Sequence, residues 1–168
     1  SLDNETVTKR HIHLIYLPMT GYWRNGPKEN TLAYDENIQA SCRMMEMTGT
    51  TQSGPIRTWA PILDYSPSIA ALFAISAALF ERTKSGNGAF IDVIILETGL
   101  TLISSSITDY LKTGIIPRRR GNLASGRSPA AGSFECKDEI ISLGINEEKH
   151  FKCLAKALKK VTWLNDPR

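Results

Sequence analysis

The sequence predicts an α/β fold, and three features of its 168 residues point to it. Segments of strand character alternate with longer helical ones, in the order strand, helix, helix, strand, helix. The clearest strand segment alternates only imperfectly, as in a parallel strand covered on both faces. The stretch from Pro117 to Gly132 is rich in Pro, Gly, Ser and Arg, and it separates this pattern from a hairpin and helix of different character. The expected layout is therefore a larger part over 1–116, a linker over 117–132 and the start of a smaller α+β unit over 133–168.

Residues 1–10 are polar and read as a loop or the tail of a helix. Ile12–Leu17 is rich in β-branched and aromatic side chains, ends at Pro18 and reads as a buried strand. Breakers Gly21, Gly26 and Pro27 mark a loop over 21–30, and a helix is expected from Tyr34 through Met47, stopped by Gly49. Met44, Met45 and Met47 suit core filling. A second loop, 50–60, leads to the stretch on which the chain turns.

That stretch runs from Ile62 to Asp92. Ser66 suits an N-cap and Pro67 a first helical position, where its missing N–H costs nothing. The apolar run Ile69–Phe80 predicts a buried helix, with Arg82 and Lys84 in its last turn and Gly86 at its C-terminal cap. Ser85–Gly88 then turns the chain into a strand over Ala89–Ile95, and a helix over Leu96–Lys112 ends before Gly114 and Pro117. Beyond the linker, Ser133–Ile145 alternates like a hairpin turning at Lys137-Asp138-Glu139. The segment 147–160 is an amphipathic helix with Phe151, Leu154, Ala155 and Leu158 on one stripe.

Composition excludes several function classes. Hydrophobic and charged fractions of 42% and 22% are those of a globular domain. A net charge of +3, with Arg118–Arg120 as the sole basic cluster and no interleaved aromatics, argues against a nucleic-acid partner. The apolar run of 12 residues, Ile69–Phe80, falls short of the roughly 20 that span a bilayer, so no membrane partner is expected. Cys42, Cys136 and Cys153 are odd in number and lack metal-ligand spacing, which favours free thiols in a reducing compartment. The N-terminus shows no secretory pattern, and it lacks an initiator Met, as a piece of a longer chain would. No Walker loop, GxGxxG, CxxC, HExxH or Gly-x-Ser-x-Gly is present. His11 and His13 have no third ligand nearby, so no metal is expected.

Residue chemistry alone leaves Asp64 as the best single candidate for catalysis. A carboxylate beside a helix N-terminus is held in its ionised form by the dipole, ready to act as a nucleophile. The same position suits a simple structural cap, and on the residues alone that is the commoner meaning.

Several segments together resemble the family III (CaiB/BaiF) CoA-transferases, the group that includes formyl-CoA transferase, carnitine CoA-transferase and α-methylacyl-CoA racemase. The matching pieces run in order: Leu14-Ile15-Tyr16, Thr20-Gly21-Tyr22, Gly26-Pro27, Tyr34-Asp35 with Gln39-Ala40, Thr48-Gly49 and Gly54-Pro55. Asp64 with Ala77-Ala78-Leu79 and Arg82, Ser85–Gly88, Ile91-Asp92-Val93 and Leu96-Glu97 follow. Gly121-Asn122, Phe134, Lys137-Asp138 and the closing Asn165–Arg168 extend the match over nearly the whole chain.

The resemblance implies a Rossmann-like parallel-sheet large domain followed by a smaller α+β domain. It implies CoA transfer from an acyl-CoA to a carboxylic acid, with Asp64 as covalent nucleophile and Tyr34 and Asp35 lining the CoA site. Coenzyme A enters as substrate, and the N–H groups near Ser66 and Ser68 are the candidate oxyanion donors. Family members form interlocked homodimers, so a homodimer is implied, in the cytoplasm or, in a eukaryote, the mitochondrial or peroxisomal matrix. Racemases of the family pair the same aspartate with a histidine; Tyr34 precedes Asp35 here, and a phenol of pKa near 10 is a poor base for an α-proton. The alternatives are a CoA-dependent racemase or epimerase, and a catalytically incomplete fragment. Ser68 stands where the family has Gly, and Asp138-Glu139 where it has Asp-Gly. The family's N-terminal half, with most CoA contacts, is not in this chain.

Overall fold

A computed structural model describes residues 4–124, 128 and 130–166; Pro167, Arg168 and part of the expected linker lie outside the described residues. The chain divides into two units, Ser1–Thr48 with Gly54–Arg118, and Gly49–Ser53 with Arg119–Arg168.

In the first unit, helix α1 (Asn4–Arg10) precedes a parallel ribbon interrupted in the same place on both strands. Where one strand was expected over Ile12–Leu17, β1 (Ile15–Tyr16) and β2 (Met19–Thr20) flank Pro18, whose missing N–H breaks the ladder. Their partners are β3 (Ala89–Phe90) and β4 (Val93–Ile94), each pairing parallel and in one register: Ile15 with Ala89, Met19 with Val93. The Pro18 carbonyl still accepts from Val93 N–H at 3.2 Å. Tyr16 and Phe90 stack across the pair with centroids 6.1 Å apart. This parallel pairing with helices confirms the mixed α/β class.

Gly88 enters the ribbon where its N–H reaches the Ile12 carbonyl at 2.6 Å. A Cβ there would overlap the carbonyl oxygen of Leu14, a backbone atom that cannot swing away. Gly88→Ala is therefore expected to destabilise the protein by about 1–3 kcal/mol through overpacking; thermal denaturation checks it.

The helix expected from Tyr34 to Met47 breaks into α2 (Asp35–Ser41) and α3 (Met44–Met47). Arg43 takes φ 64° at the break. In a continuous helix residues two apart point to opposite sides, yet Cys42 and Met44 are both buried in one core. The break turns both inward. Similarly, the helix expected over Leu96–Lys112 is α5 (Ile95–Leu102) and α6 (Ser104–Thr113), and Gly114 at φ 69° closes the second with its N–H on Tyr110 O.

The central helix α4 (Ile62–Ser85) departs most from expectation. It starts before Ser66, with Pro61 as N-cap, so Pro67 lies inside the helix. Ser66 caps nothing; its hydroxyl bonds back to the Ile62 carbonyl one turn earlier. Pro67 is fully buried, so its ring packs in the core while its missing N–H removes one rung. Gly86 ends the helix as expected, at φ 71° with its N–H on Arg82 O at 2.9 Å.

Nor is α4 buried on every face. Leu63, Pro67 and Ala71 form a buried stripe that continues through half-buried Ala74, Ala78 and Arg82, and the helix packs on α2, α5, β1 and β4. The opposite side, including Ile69, Leu72, Phe73 and Phe80, is exposed. With 24 residues, α4 is long and apolar enough to cross a membrane by length and composition, unlike the shorter run read from the sequence. The core of the unit joins Tyr22, Ile38, Cys42, Met44 and Leu63. Gly99 on α5 permits this, since a Cβ there would meet Cys42 Sγ at 3.2 Å and Leu63 Cδ1 at 3.4 Å.

The second unit pairs β5 (Ala131–Glu135) with β6 (Ile140–Gly144) as an antiparallel hairpin. It begins two residues earlier than expected, so Ala131 and Gly132 belong to a strand rather than to a linker. Cys136 N–H closes the turn on Glu139 O at 2.8 Å. The strip Gly49–Ser53 joins this unit through Gly121 N–H on Gly49 O at 2.8 Å, a connection no local pattern announces. Helix α7 (Glu148–Ala157) buries Ala155 and half-buries Phe151 and Leu154, but it ends before Leu158, which is exposed, and a short 3-10 helix over Val161–Asn165 follows.

Candidate active site at the start of helix α4

Asp64 is the third residue of α4 and sits in the helix's first turn, with its side chain exposed. Its carboxylate accepts no hydrogen bond from a described residue, and no ion pair to it is formed among them. The residue before it is held twice. Leu63 is fully buried, and its N–H donates to Oδ1 of Asp35 at 2.8 Å. Asp64 therefore presents an unengaged carboxylate on a fixed backbone.

The clamp comes from α2. Asp35 is 6% exposed and Gln39 is 0% exposed, and they lie one turn apart on the same helix face. Gln39 Nε2 donates to Asp35 Oδ2 at 2.7 Å and to Thr58 Oγ1 at 2.9 Å. Thr58 N–H returns to Gln39 Oε1 at 3.0 Å. The six-residue approach from Thr58 to Leu63 is thus pinned at both ends by one turn of α2. Tyr34 immediately precedes Asp35, is 65% exposed and faces solvent. The structure therefore separates the two neighbours: Tyr34 offers an open ring, while both Asp35 oxygens are engaged within the protein.

The expected oxyanion donors are not available. Ser66 and Ser68 lie inside α4, where their N–H groups belong to the helical ladder. Of the four N–H groups that a helix start leaves open, Pro61 has none and the other three are taken here, with Tyr65 making the first regular rung. Ile62 N–H goes to Ala60 O at 2.8 Å and Leu63 N–H to Asp35. Asp64 and Tyr65 N–H both go to Pro61 O, at 3.1 and 3.3 Å. This start is a closed cap.

Other reactive groups are placed less favourably for nucleophilic chemistry. Cys42 is buried, and burial pushes its thiol pKa up, which keeps it protonated and inert. It borders an apolar groove of about 380 Å³ lined also by Arg43, Met47, Ile103, Tyr110 and Pro117, and not by Asp64. Cys136 and Cys153 are exposed in the second unit. His13 bonds the Gly86 carbonyl through Nδ1, and Arg82 donates to His13 O at 2.9 Å, so both tie the end of α4 to the turn between α1 and β1.

Gln39, Thr58 and Leu63 are the site residues that sequence reading missed. The one local signal was two polar side chains, Asp35 and Gln39, at helical spacing around the apolar Ile38.

Comparison with known proteins places this arrangement in context. The chain is 30% identical over 157 residues to human succinyl-CoA:glutarate CoA-transferase, covering 94% of this chain and 36% of that protein. It is 28% identical over 165 residues to acetyl-CoA:oxalate CoA-transferase of Acetobacter aceti, covering 98% of this chain and 42% of that protein. A crystal structure of a CaiB/BaiF family protein from Brucella suis superposes with a TM-score of 0.81 at 25% identity, over 99% of this chain and 44% of that one. The chain thus spans about two fifths of the length of these relatives. With the model of CoA-transferase family III matching residues 1–168 throughout, the chain belongs to that family.

Proposed function

We propose that the protein carrying this chain moves coenzyme A from an acyl-CoA donor to a carboxylic acid acceptor, with Asp64 as the covalent nucleophile. The observation that carries the reading is the exposed, unengaged carboxylate of Asp64 on a backbone clamped by Asp35 and by the burial of Leu63. The names of the relatives, which pair a CoA ester with a carboxylic acid, support it.

The chemistry balances without a metal or an external proton. An Asp64 oxygen attacks the thioester carbonyl, the C–S bond breaks, and CoA leaves as thiolate from a mixed anhydride. The thiolate attacks the aspartyl carbonyl, releasing the donor acid as carboxylate and leaving an aspartyl-CoA thioester. An acceptor carboxylate attacks that thioester and expels CoA thiolate again. The thiolate then attacks the acceptor carbonyl, which frees the Asp64 carboxylate and the new acyl-CoA. Each hard displacement is divided into two easier ones.

In this reading Tyr34 and Asp35 border the CoA site, Tyr34 through its exposed ring and Asp35 from beneath. The exposed apolar side of α4 supports assembly with a second copy or with further chain, since faces of this kind are rarely left to water. We take the working state to be a homodimer in a soluble compartment that holds CoA esters: the cytoplasm, or the mitochondrial or peroxisomal matrix in a eukaryote. A clean monomer on gel filtration would contradict the dimer.

The test is steady-state kinetics on the polypeptide at its full encoded length. Varying donor and acceptor should give parallel double-reciprocal lines, with no solvent deuterium entering the substrate α-carbon. Intersecting lines would mean that the donor acid is still bound when the acceptor enters, and would contradict its early release. Deuterium entry without acyl transfer would establish a racemase in place of a transferase.

A further inference from the structure

We infer that Asp35 is a positioning residue for Asp64: through the Leu63 N–H it fixes where the first turn of α4 begins, and so where the reacting carboxylate stands. This rests on the reading of Asp64 as nucleophile.

The residues around α4's start carry the inference. A helix whose N-cap is Pro61 lacks the side-chain cap that Ser, Thr, Asp or Asn supply locally, since Pro61 has no polar side-chain atom. The second N–H of the helix takes its acceptor from Asp35, 28 residues earlier in the chain. Asp35 is held in turn by Gln39, whose amide orientation is fixed by Thr58: the Thr58 N–H requires Oε1 on its side, so Nε2 must face Asp35. Both carboxylate oxygens of Asp35 therefore have to be acceptors. One meets the Leu63 N–H and the other the Gln39 NH₂.

This makes asparagine a sharp probe. Asp35→Asn keeps the shape but turns one acceptor into a donor. In either amide orientation an NH₂ opposes the Leu63 N–H or the Gln39 NH₂. The start of α4 should then shift by a fraction of a turn and carry Asp64 with it. Misplacement of a reacting group by about 1 Å costs on the order of a hundredfold in rate.

The experiment uses the full-length encoded polypeptide with an acyl-CoA donor and a carboxylate acceptor. For Asp35→Asn, kcat is expected to fall about tenfold to a hundredfold, with KM for the acyl-CoA within about twofold, as for a transition-state effect. Amide exchange at Leu63 should quicken while amides midway along α4 keep their protection. If Asp35→Asn does not fold, Thr58→Val loosens the same clamp from its far end, and a smaller fall in kcat at constant KM is expected. A rise in KM alone would overturn the inference, because it would make Asp35 a direct contact to CoA. Faster exchange throughout the unit, with kcat per trappable Asp64 unchanged, would overturn it in favour of a purely structural role. Asp64→Ala run in parallel separates the two levels: retained turnover there removes the nucleophile reading, and the positioning role with it.

Discussion

Asp64→Ala is expected to abolish CoA transfer, with turnover falling by at least about a thousandfold, as when a covalent nucleophile is removed from its site. The fold should survive. The side chain is exposed and accepts no bond from a described residue, so the cost to stability is confined to a first-turn acid at the helix dipole, about 0.3–1 kcal/mol. Asp64→Asn sharpens the test because it preserves shape and removes only the nucleophilic charge. Activity assays beside thermal melting distinguish this from an unfolded variant: rate lost, melting temperature nearly unchanged. A variant that keeps more than a tenth of wild-type turnover would be inconsistent with covalent catalysis at this position.

One residue earlier, stability is expected to fall together with rate. Leu63 is fully buried among Cys42, Gly99 and the α2 face, and it ties α4 to the core. Leu63→Ala removes that side chain and leaves a cavity, for an expected loss of about 2–5 kcal/mol. In a chain of this size each kcal/mol lowers the melting temperature by roughly 2–4 °C, so the shift should be plain in a thermal scan. Turnover should fall as well, because the same residue holds the backbone under Asp64. Asp64→Ala, which touches rate alone, and Leu63→Ala, which touches stability and rate together, would show that the chemistry at the helix start depends on its anchorage. Equal melting temperatures for wild type and Leu63→Ala would contradict the packing.

The sequence was informative wherever a local rule decided the outcome. Gly86 and Gly114 end their helices at positive φ because the left-handed cap costs glycine no Cβ clash. The first parallel strand was legible from its β-branched, imperfectly alternating residues, although Pro18 divides the pairing into shorter pieces. The candidate nucleophile was legible through the ordered run of family segments, not through the physics of Asp64 alone.

What escaped was decided at a distance. Ser66 and Pro67 carry strong local signals for a helix start, yet the helix begins at Ile62 because Asp35 supplies a cap from 28 residues away and Pro67 gains burial inside. The break at Arg43 has no glycine or proline to announce it, and follows from bringing Cys42 and Met44 into one core. The apolar run of α4 suggested a fully buried helix. Only the stripe from Leu63 to Arg82 is covered, because apolar composition records what a face can bury and not whether the neighbouring element is present. The role of Asp35 was invisible for the same reason: a buried carboxylate with two protein partners and an open one beside a ligand look alike in sequence.

The most direct test of the account is chemical trapping at Asp64. The full-length protein is incubated with an acyl-CoA donor and quenched with hydroxylamine, and its peptides are read by mass spectrometry. A hydroxamate on Asp64 that forms only with the donor is expected, with borohydride reducing the same residue once the aspartyl-CoA thioester has accumulated. Donor turnover with Asp64 left unmodified under both reagents would contradict it.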